Sequence, residues 1–212
     1  MPENEHSQEA GERKHQQRKG KNTMKRINQH AEEIAVEIRK VLMEIGVGHA
    51  YQPNKGEIRF ETEAHNQVGM VRCEIRVRSS DYSVYTYSPV CPGPEDSEAL
   101  SKLAEFFCRA NYGLRNGRFE MDMRDGEIRF HVFVDCDGQL PSRAVILNSV
   151  FYGSLMFEIY GNQMLRVMRL DTDPASAIFK CEGNGKGSLM DASQEETEVM
   201  RVEQRLLRSR RP

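Results

Sequence analysis

The sequence predicts an α+β domain built on an antiparallel sheet of about five strands, with flanking helices in the order α-β-β-β-α-β-β-α. Apolar residues recur every three or four positions in three segments, which is the period of an amphipathic helix. Between these segments apolar and polar residues alternate, which is typical of half-buried strands. Turn-forming sequences such as Pro53-Asn54-Lys55-Gly56 separate the strands.

The first element is a helix that we expect to end at Gly46, because glycine is a common helix terminator. Charged residues cover the side opposite its aliphatic stripe. The stripe alternates steps of four and three residues: Ile27, Ala31, Ile34, Ile38, Val41 and Ile45. For so short a repeat, packing on the domain's own sheet is the expected role.

Strands are predicted at residues 51–52, 57–63 and 71–77, followed by another after Ser79-Ser80. If these serines form the turn, Val77 pairs with Tyr82 and Ile75 pairs with Val84. This register places a candidate binding surface on one outer face, formed by Arg72, Arg76, Tyr85 and Tyr87.

Arginines beside tyrosines can bind a peptide, a phosphate or single-stranded nucleic acid. Glutamates interleave with them, however, and one-sided antiparallel sheets normally present charge to water. The interpretation of a solvated face is therefore favoured, and the tyrosines could instead lie beneath a helix.

Residues 97–137 contain a helix, a short link and a β-hairpin. Asn111 lies on the apolar stripe of that helix. A buried amide without a partner costs about 1–3 kcal/mol, so we expect Asn111 to bond to the backbone near Gly117 and to clamp the helix end to the hairpin.

The hairpin is predicted around Asp125-Gly126, a dipeptide typical of a two-residue type I′ turn. In that register Phe119 lies opposite Val132 and Glu120 lies opposite His131. The apolar pairs then share one face and the charged pairs share the other.

The helix carrying Asn111, followed by Gly117-Arg118-Phe119, Asp122, Asp125-Gly126 and Phe130, resembles the YbjN family of bacterial proteins. The resemblance covers residues 27–170. It implies a fold like that of the type III secretion chaperones and a role in regulation or signal transduction, with no catalytic residues to carry over. The residues expected to define the fold are Asn111, Gly117, Arg118, Phe119, Asp125 and Gly126.

Pro141 opens a long apolar helical segment that Gly153 and Gly161 could bend or divide. Apolar residues surround it on more than one side, which exceeds the single stripe of a surface helix. We therefore expect burial on two sides, by the sheet and by a second subunit, and a homodimer.

The two ends of the chain differ from this domain. Residues 1–25 contain almost no large apolar side chain and are predicted to be a disordered arm. The folded domain is expected at residues 26–171. Residues 172–212 are predicted to contain a flexible linker and a weak C-terminal helix.

Composition narrows the function classes. The formal net charge of −2 argues against nucleic acid as the partner. The sequence shows neither a secretory signal nor a membrane span. Five scattered cysteines without a CxxC motif favour reduced thiols in the cytoplasm.

The sequence contains no recognisable motif for catalysis, metal binding or cofactor binding, so it predicts no such residues and no cofactor. Asp135-Cys136-Asp137-Gly138, for example, lacks the further ligands of a calcium loop. The leading prediction is a non-enzymatic protein-binding or regulatory module with an unknown protein partner. The alternatives are a chaperone for a secreted client protein and a nucleic-acid binder that uses the Arg/Tyr face.

Overall fold

The computed structural model describes residues 29–183 together with residues 200, 201 and 204. The predicted α+β class is confirmed. In the range 29–183 the chain forms four α-helices and six strands, in this order: α1 (residues 29–45), β1 (Ala50–Gln52), β2 (Glu57–Ala64), β3 (Gly69–Val77), β4 (Asp81–Tyr87), α2 (Ser97–Gly113), β5 (Arg118–Met121), β6 (Ile128–Asp135), α3 (Arg143–Met168) and α4 (Pro174–Glu182).

The six strands form one antiparallel sheet in the order β1-β2-β3-β4-β6-β5. The sheet has one strand more than the approximate number predicted. The strand predicted at residues 51–52 is confirmed as Ala50–Gln52, which pairs with β2 and forms one edge of the sheet. β4 and β6 are adjacent in the sheet although α2 and β5 separate them in the sequence. Among the described strands, β5 pairs only with β6 and forms the opposite edge.

The sheet has an apolar inner face and a polar outer face. A row of inner residues crosses four strands, since Ile58 pairs with Ile75, Ile75 with Val84 and Val84 with Val132. The helices pack on this side. Phe151 of α3 contacts Phe60, and the Tyr82 hydroxyl lies 2.8 Å from Ser149 Oγ. The core therefore lies between the inner face and the helical layer.

The predicted β3–β4 hairpin is confirmed residue by residue. Val77 pairs with Tyr82 and Ile75 pairs with Val84. The Arg78 amide donates to the Asp81 carbonyl at 2.8 Å and closes the turn. The outer-face positions that follow from this register are therefore correct.

The predicted register of the β5–β6 hairpin is wrong by two residues. Phe119 lies opposite Phe130 rather than Val132, and Met121 lies opposite Ile128. An even shift leaves every side chain on its predicted face. The buried face of the hairpin is therefore correct although its pairing is not.

The reason lies in the turn, which has four residues between Asp122 and Glu127. The Asp122 amide donates to the Glu127 carbonyl at 2.9 Å, and the Gly126 amide donates to the Asp122 carbonyl at 2.8 Å. A type I′ turn would need positive φ at Asp125 as well as at Gly126, and only Gly126 has it. The Asp122 carboxylate accepts from the amide and guanidinium of Arg124, which hold its pKa at about 2.

Asn111 makes the predicted clamp between α2 and the hairpin. Its Nδ2 donates to the Phe119 carbonyl at 2.9 Å, and its Oδ1 accepts from the Phe119 amide at 2.8 Å. The side-chain amide of Asn111 thus forms with β5 the two hydrogen bonds that the backbone of a neighbouring strand would form. Gly117, at φ +74°, makes the link, and a Cβ there would lie 2.6 Å from the His131 carbonyl oxygen.

Helix α3 is continuous, so Gly153 and Gly161, which the sequence suggested could bend or divide it, do not divide it. Both glycines allow close packing, with Gly153 against Thr86 and Gly161 against Val68. The sheet covers one side of α3, while α2 and α4 contact it from other directions. Other elements of the same chain therefore cover the apolar surface of α3, and its burial gives no reason to expect a second subunit.

By length and composition α3 is the one helix of the described residues that could cross a membrane. Of its most apolar window, 72% is buried inside the protein. Burial of this extent is typical of a core helix, and α3 serves as one.

Helix α4 extends the packed region beyond the predicted boundary at residue 171. Ala177 is fully buried, and the Tyr160 hydroxyl of α3 donates to Glu182 at 3.3 Å. The predicted arm at residues 1–25 lies outside the described residues, as does the predicted linker after Gly183. Of the predicted C-terminal helix, only residues 200, 201 and 204 are described, and they are helical.

Candidate functional site: the outer face of the sheet

The outer face of the sheet brings together all four residues of the predicted binding surface. Arg72 pairs with Tyr87 across β3 and β4, and Tyr85 lies opposite Glu74, between Arg72 and Arg76 along β3. The strict alternation of both strands places these side chains on one side. The helical layer packs on the other side.

Six further residues belong to the same surface: Arg59, Glu74, Arg118, Glu120, Arg129 and His131. The sequence predicted that Glu74 interleaves with the four residues and that Glu120 and His131 face outward, but it did not join the hairpin residues to the binding surface. β6 supplies the link, since His131 pairs with Tyr85 and Arg129 pairs with Tyr87. Alternation in β6 was a usable signal that Arg129 and His131 face outward. What the sequence lacked was the pairing of β6 with β4.

Arginine side chains cover the two tyrosine rings. The guanidinium carbon of Arg72 lies 4.5 Å from the centre of the Tyr87 ring, and those of Arg76 and Arg129 lie 4.9 Å and 4.6 Å from the centre of Tyr85. As a result Tyr85 is 9% exposed and Tyr87 is 6% exposed. The tyrosines are thus neither solvated nor beneath a helix, because guanidinium groups bury them.

Glu74 is buried and pairs with two arginines of the outer face. Its carboxylate is 2.6 Å from Arg76 Nη2 and 3.1 Å from Arg59 Nε. Partial burial opposes the charge on Arg76, but its hydrogen bond and ion pair with Glu74 outweigh that effect and raise the pKa of Arg76. Burial, followed by the charge of Glu74, raises the pKa of Tyr87. A buried carboxylate therefore holds the arginines in place.

Glu120 has the same role at the other edge. Its carboxylate lies 2.8 Å from the Nε atoms of both Arg118 and Arg129, and 3.1 Å from His131 Nδ1. Burial would raise the pKa of Glu120, but bonds from Arg129 and His131 lower it. Burial lowers the pKa of His131, and Glu120 only partly offsets it. The ionised form of Glu120 is therefore stabilised by both neighbours, Arg129 and His131.

We call the five outer arginines the arginine layer: Arg59, Arg72, Arg76, Arg118 and Arg129. Four of them have side chains between 32% and 54% exposed, and Arg72 is exposed as well. The carboxylates paired with them, at Glu57, Glu74 and Glu120, are only 7% to 24% exposed. The guanidinium groups are therefore more exposed than the carboxylates that pair with them, whereas Glu61 beside Arg72 is exposed.

Phe133 adds an apolar group to the same face. It pairs with Ser83 of β4, which pairs with Arg76. Its side chain is 56% exposed, unlike the inward residues of β6. The outer face thus combines arginine, tyrosine and an exposed phenylalanine.

The residues predicted to define the fold occupy different places. Asn111, Gly117 and Phe119 form the α2–β5 junction, whereas Arg118 belongs to the arginine layer. Gly126 packs against the Pro92 carbonyl, where a Cβ would collide. Asp125 accepts the Glu127 amide at 3.0 Å in the turn.

Two surface depressions lie away from the centre of the outer face. One, of about 310 Å³, is lined by hairpin residues from Glu120 to Arg129, and the other, of about 330 Å³, lies between α1 and Leu140. Neither contains a histidine or a cysteine. Among the described residues, no group of three or more His, Cys, Asp or Glu side chains is placed to hold a metal ion.

Comparisons with protein-family models, curated proteins and solved structures give no match to this chain. The resemblance to the YbjN family therefore depends on the short motifs of the helix–hairpin region alone.

Proposed function

We propose that this protein is a non-enzymatic binding or regulatory module of the YbjN type, and that the outer face of its sheet engages a protein partner. The observation that carries the proposal is the arginine layer over Tyr85 and Tyr87, next to the exposed Phe133. Arginine and aromatic residues are enriched at protein interfaces and dominate their binding energy. The proposal also places the protein in the cytoplasm, where free thiols persist.

The size of the face supports a specific complex. Six strands spaced by about 4.8 Å, with lengths of up to eight or nine residues, give a face of roughly 700 Å². A standard interface buries about 800 Å² on each partner. The bonds among arginines, tyrosines and glutamates also restrict side-chain motion before binding, which lowers the entropy lost on association.

A nucleic-acid partner is supported less well. Single-stranded nucleic acids bind by stacking bases on exposed aromatic rings, and the guanidinium groups already cover Tyr85 and Tyr87. Glu74 and Glu120 also offset much of the positive charge. The chaperone alternative and the homodimer remain predictions.

The test is affinity capture of the tagged full chain from nuclease-treated lysate of its own host, read by mass spectrometry. Wild type is compared with a double variant, Arg72→Glu with Phe133→Ser, and with Arg109→Glu on the exposed side of α2 as a charge-matched control. We expect a protein that the wild type and the control retain and the double variant loses. Retention by the double variant, or enrichment of nucleic acid alone from untreated lysate, would contradict the proposal.

A further inference from the structure

The arginine layer differs from an ordinary mixed-charge surface in the exposure of its paired charges. The carboxylates of Glu74 and Glu120 are 7% and 24% exposed, whereas their arginine partners are 32% to 54% exposed. An approaching partner therefore meets the N–H donors of these arginines before the carboxylates that pair with them. Guanidinium groups are planar, and their donors match the two oxygens of a carboxylate.

Arg72 is the least committed member of this layer. Its guanidinium stacks on Tyr87 and has no carboxylate within ion-pair distance among the described residues. Its cross-strand neighbour Glu61 is exposed and forms no ion pair with it. The stacking holds Arg72 in place while leaving its N–H groups available, so Arg72 can bind a new anion without first breaking an ion pair.

The charge balance of the face separates two kinds of anionic partner. Long-range attraction of a nucleic-acid backbone depends on a strong positive field. The carboxylates paired with the arginines weaken that field. Short-range hydrogen bonding to a carboxylate depends on oriented donors instead. Phe133 further offers an apolar contact at the margin of the layer.

We propose that the arginine layer recognises an acidic polypeptide segment, with carboxylates bound by Arg72 and its neighbours and an apolar side chain packed on Phe133. This inference rests on the proposed function, because it names the chemistry of the partner at the same face. Arg72 and Phe133 are then the residues that determine specificity, while Glu74 and Glu120 position the arginines.

The experiment uses the full chain and a fluorescein-labelled glutamate-rich peptide that carries one phenylalanine, followed by fluorescence anisotropy. The comparison probes are the same peptide with lysine in place of glutamate and an oligothymidylate of matched charge. Of the three probes, we expect only the glutamate peptide to bind saturably. Added salt should weaken this binding. Arg72→Glu should lower its affinity about tenfold, which corresponds to about 1.4 kcal/mol, and Phe133→Ser should also lower it.

Arg109→Glu serves as the control and should bind the glutamate peptide as the wild type does, since Arg109 lies on α2 and pairs with Glu105. Circular dichroism verifies that each variant is folded. No saturable binding, unchanged affinity of Arg72→Glu, or tighter binding of the oligothymidylate would each overturn the inference.

A competition step separates this inference from the proposed function. An excess of the glutamate peptide is added during capture from lysate. It should release a partner whose carboxylates bind the arginine layer. If the captured partner depends on Arg72 and Phe133 but the peptide does not release it, the inference fails while the proposed function stands. If no captured protein depends on these residues, the proposed function fails.

Discussion

Replacement of Asn111 by alanine should destabilise the protein by about 2–3 kcal/mol, because it removes two hydrogen bonds and leaves both backbone groups of Phe119 without that partner. For a domain of this size the midpoint of thermal unfolding should fall by roughly 4–12 °C. Urea unfolding followed by circular dichroism measures the free energy directly. Tyr112→Ala is the control, since that neighbouring side chain is 97% exposed, and it should cost less than about 0.5 kcal/mol.

An aspartate at this position gives the test a pH dependence. Asn111→Asp keeps the acceptor for the Phe119 amide but places a carboxylate against the Phe119 carbonyl, which should raise the folded-state pKa of the new group. The protonated form can still donate to that carbonyl. Relative to wild type at the same pH, the variant should therefore be most stable below the ordinary aspartate pKa of about 3.9 and lose stability as the pH rises through the raised folded value. Loss of less than about 0.5 kcal/mol in Asn111→Ala, or the same pH dependence in both variants, would refute the clamp.

Three further outcomes follow from individual contacts. Asp81 lies opposite Asp135 on adjacent strands, so Asp81→Asn should raise the free energy of urea unfolding by about 0.2–1 kcal/mol, and a decrease would contradict the repulsion. Gly153→Ala should cost about 1–3 kcal/mol because its Cβ would collide with Thr86, and Thr86→Ala in the same chain should recover part of that loss in a double-mutant cycle. Burial raises the pKa of Cys73 to about 12, so its thiol should resist maleimide until the protein unfolds. Peptide mapping distinguishes Cys73 from the exposed Cys91 and Cys108, and rapid labelling of Cys73 itself in the folded protein would contradict its position.

The sequence carried reliable information wherever one element and its immediate neighbour decide the structure. The β3–β4 register followed from alternation plus a tight Ser-Ser turn. The Asn111 clamp followed from a polar residue on an apolar stripe. The β5–β6 register did not follow, because Asp122 and Arg124 stabilise a longer turn that competes with the type I′ turn expected for Asp125-Gly126.

Features that depend on distant parts of the chain could not be predicted in this way. The hairpin residues Arg118, Glu120, Arg129 and His131 could not be joined to the predicted surface, because the pairing of β4 with β6 spans the whole of α2 and β5. The two-sided burial of α3 was predicted correctly, but its second cover was assigned to another subunit instead of α2 and α4. The difference in exposure between the side chains of Glu74 and Arg76 depends on side-chain positions, which the alternation of apolar and polar residues does not give.

The most direct test of protein binding at the outer face is site-specific photo-crosslinking in host cells. A benzoylphenylalanine is placed at Ser83, which lies between Arg76 and Phe133 on the outer face, and in a second version at Glu105 on the exposed side of α2. We expect a discrete protein adduct from position 83 and none from position 105. The absence of an adduct at position 83, or equal adducts at both positions, would contradict the assignment of this face as the binding surface.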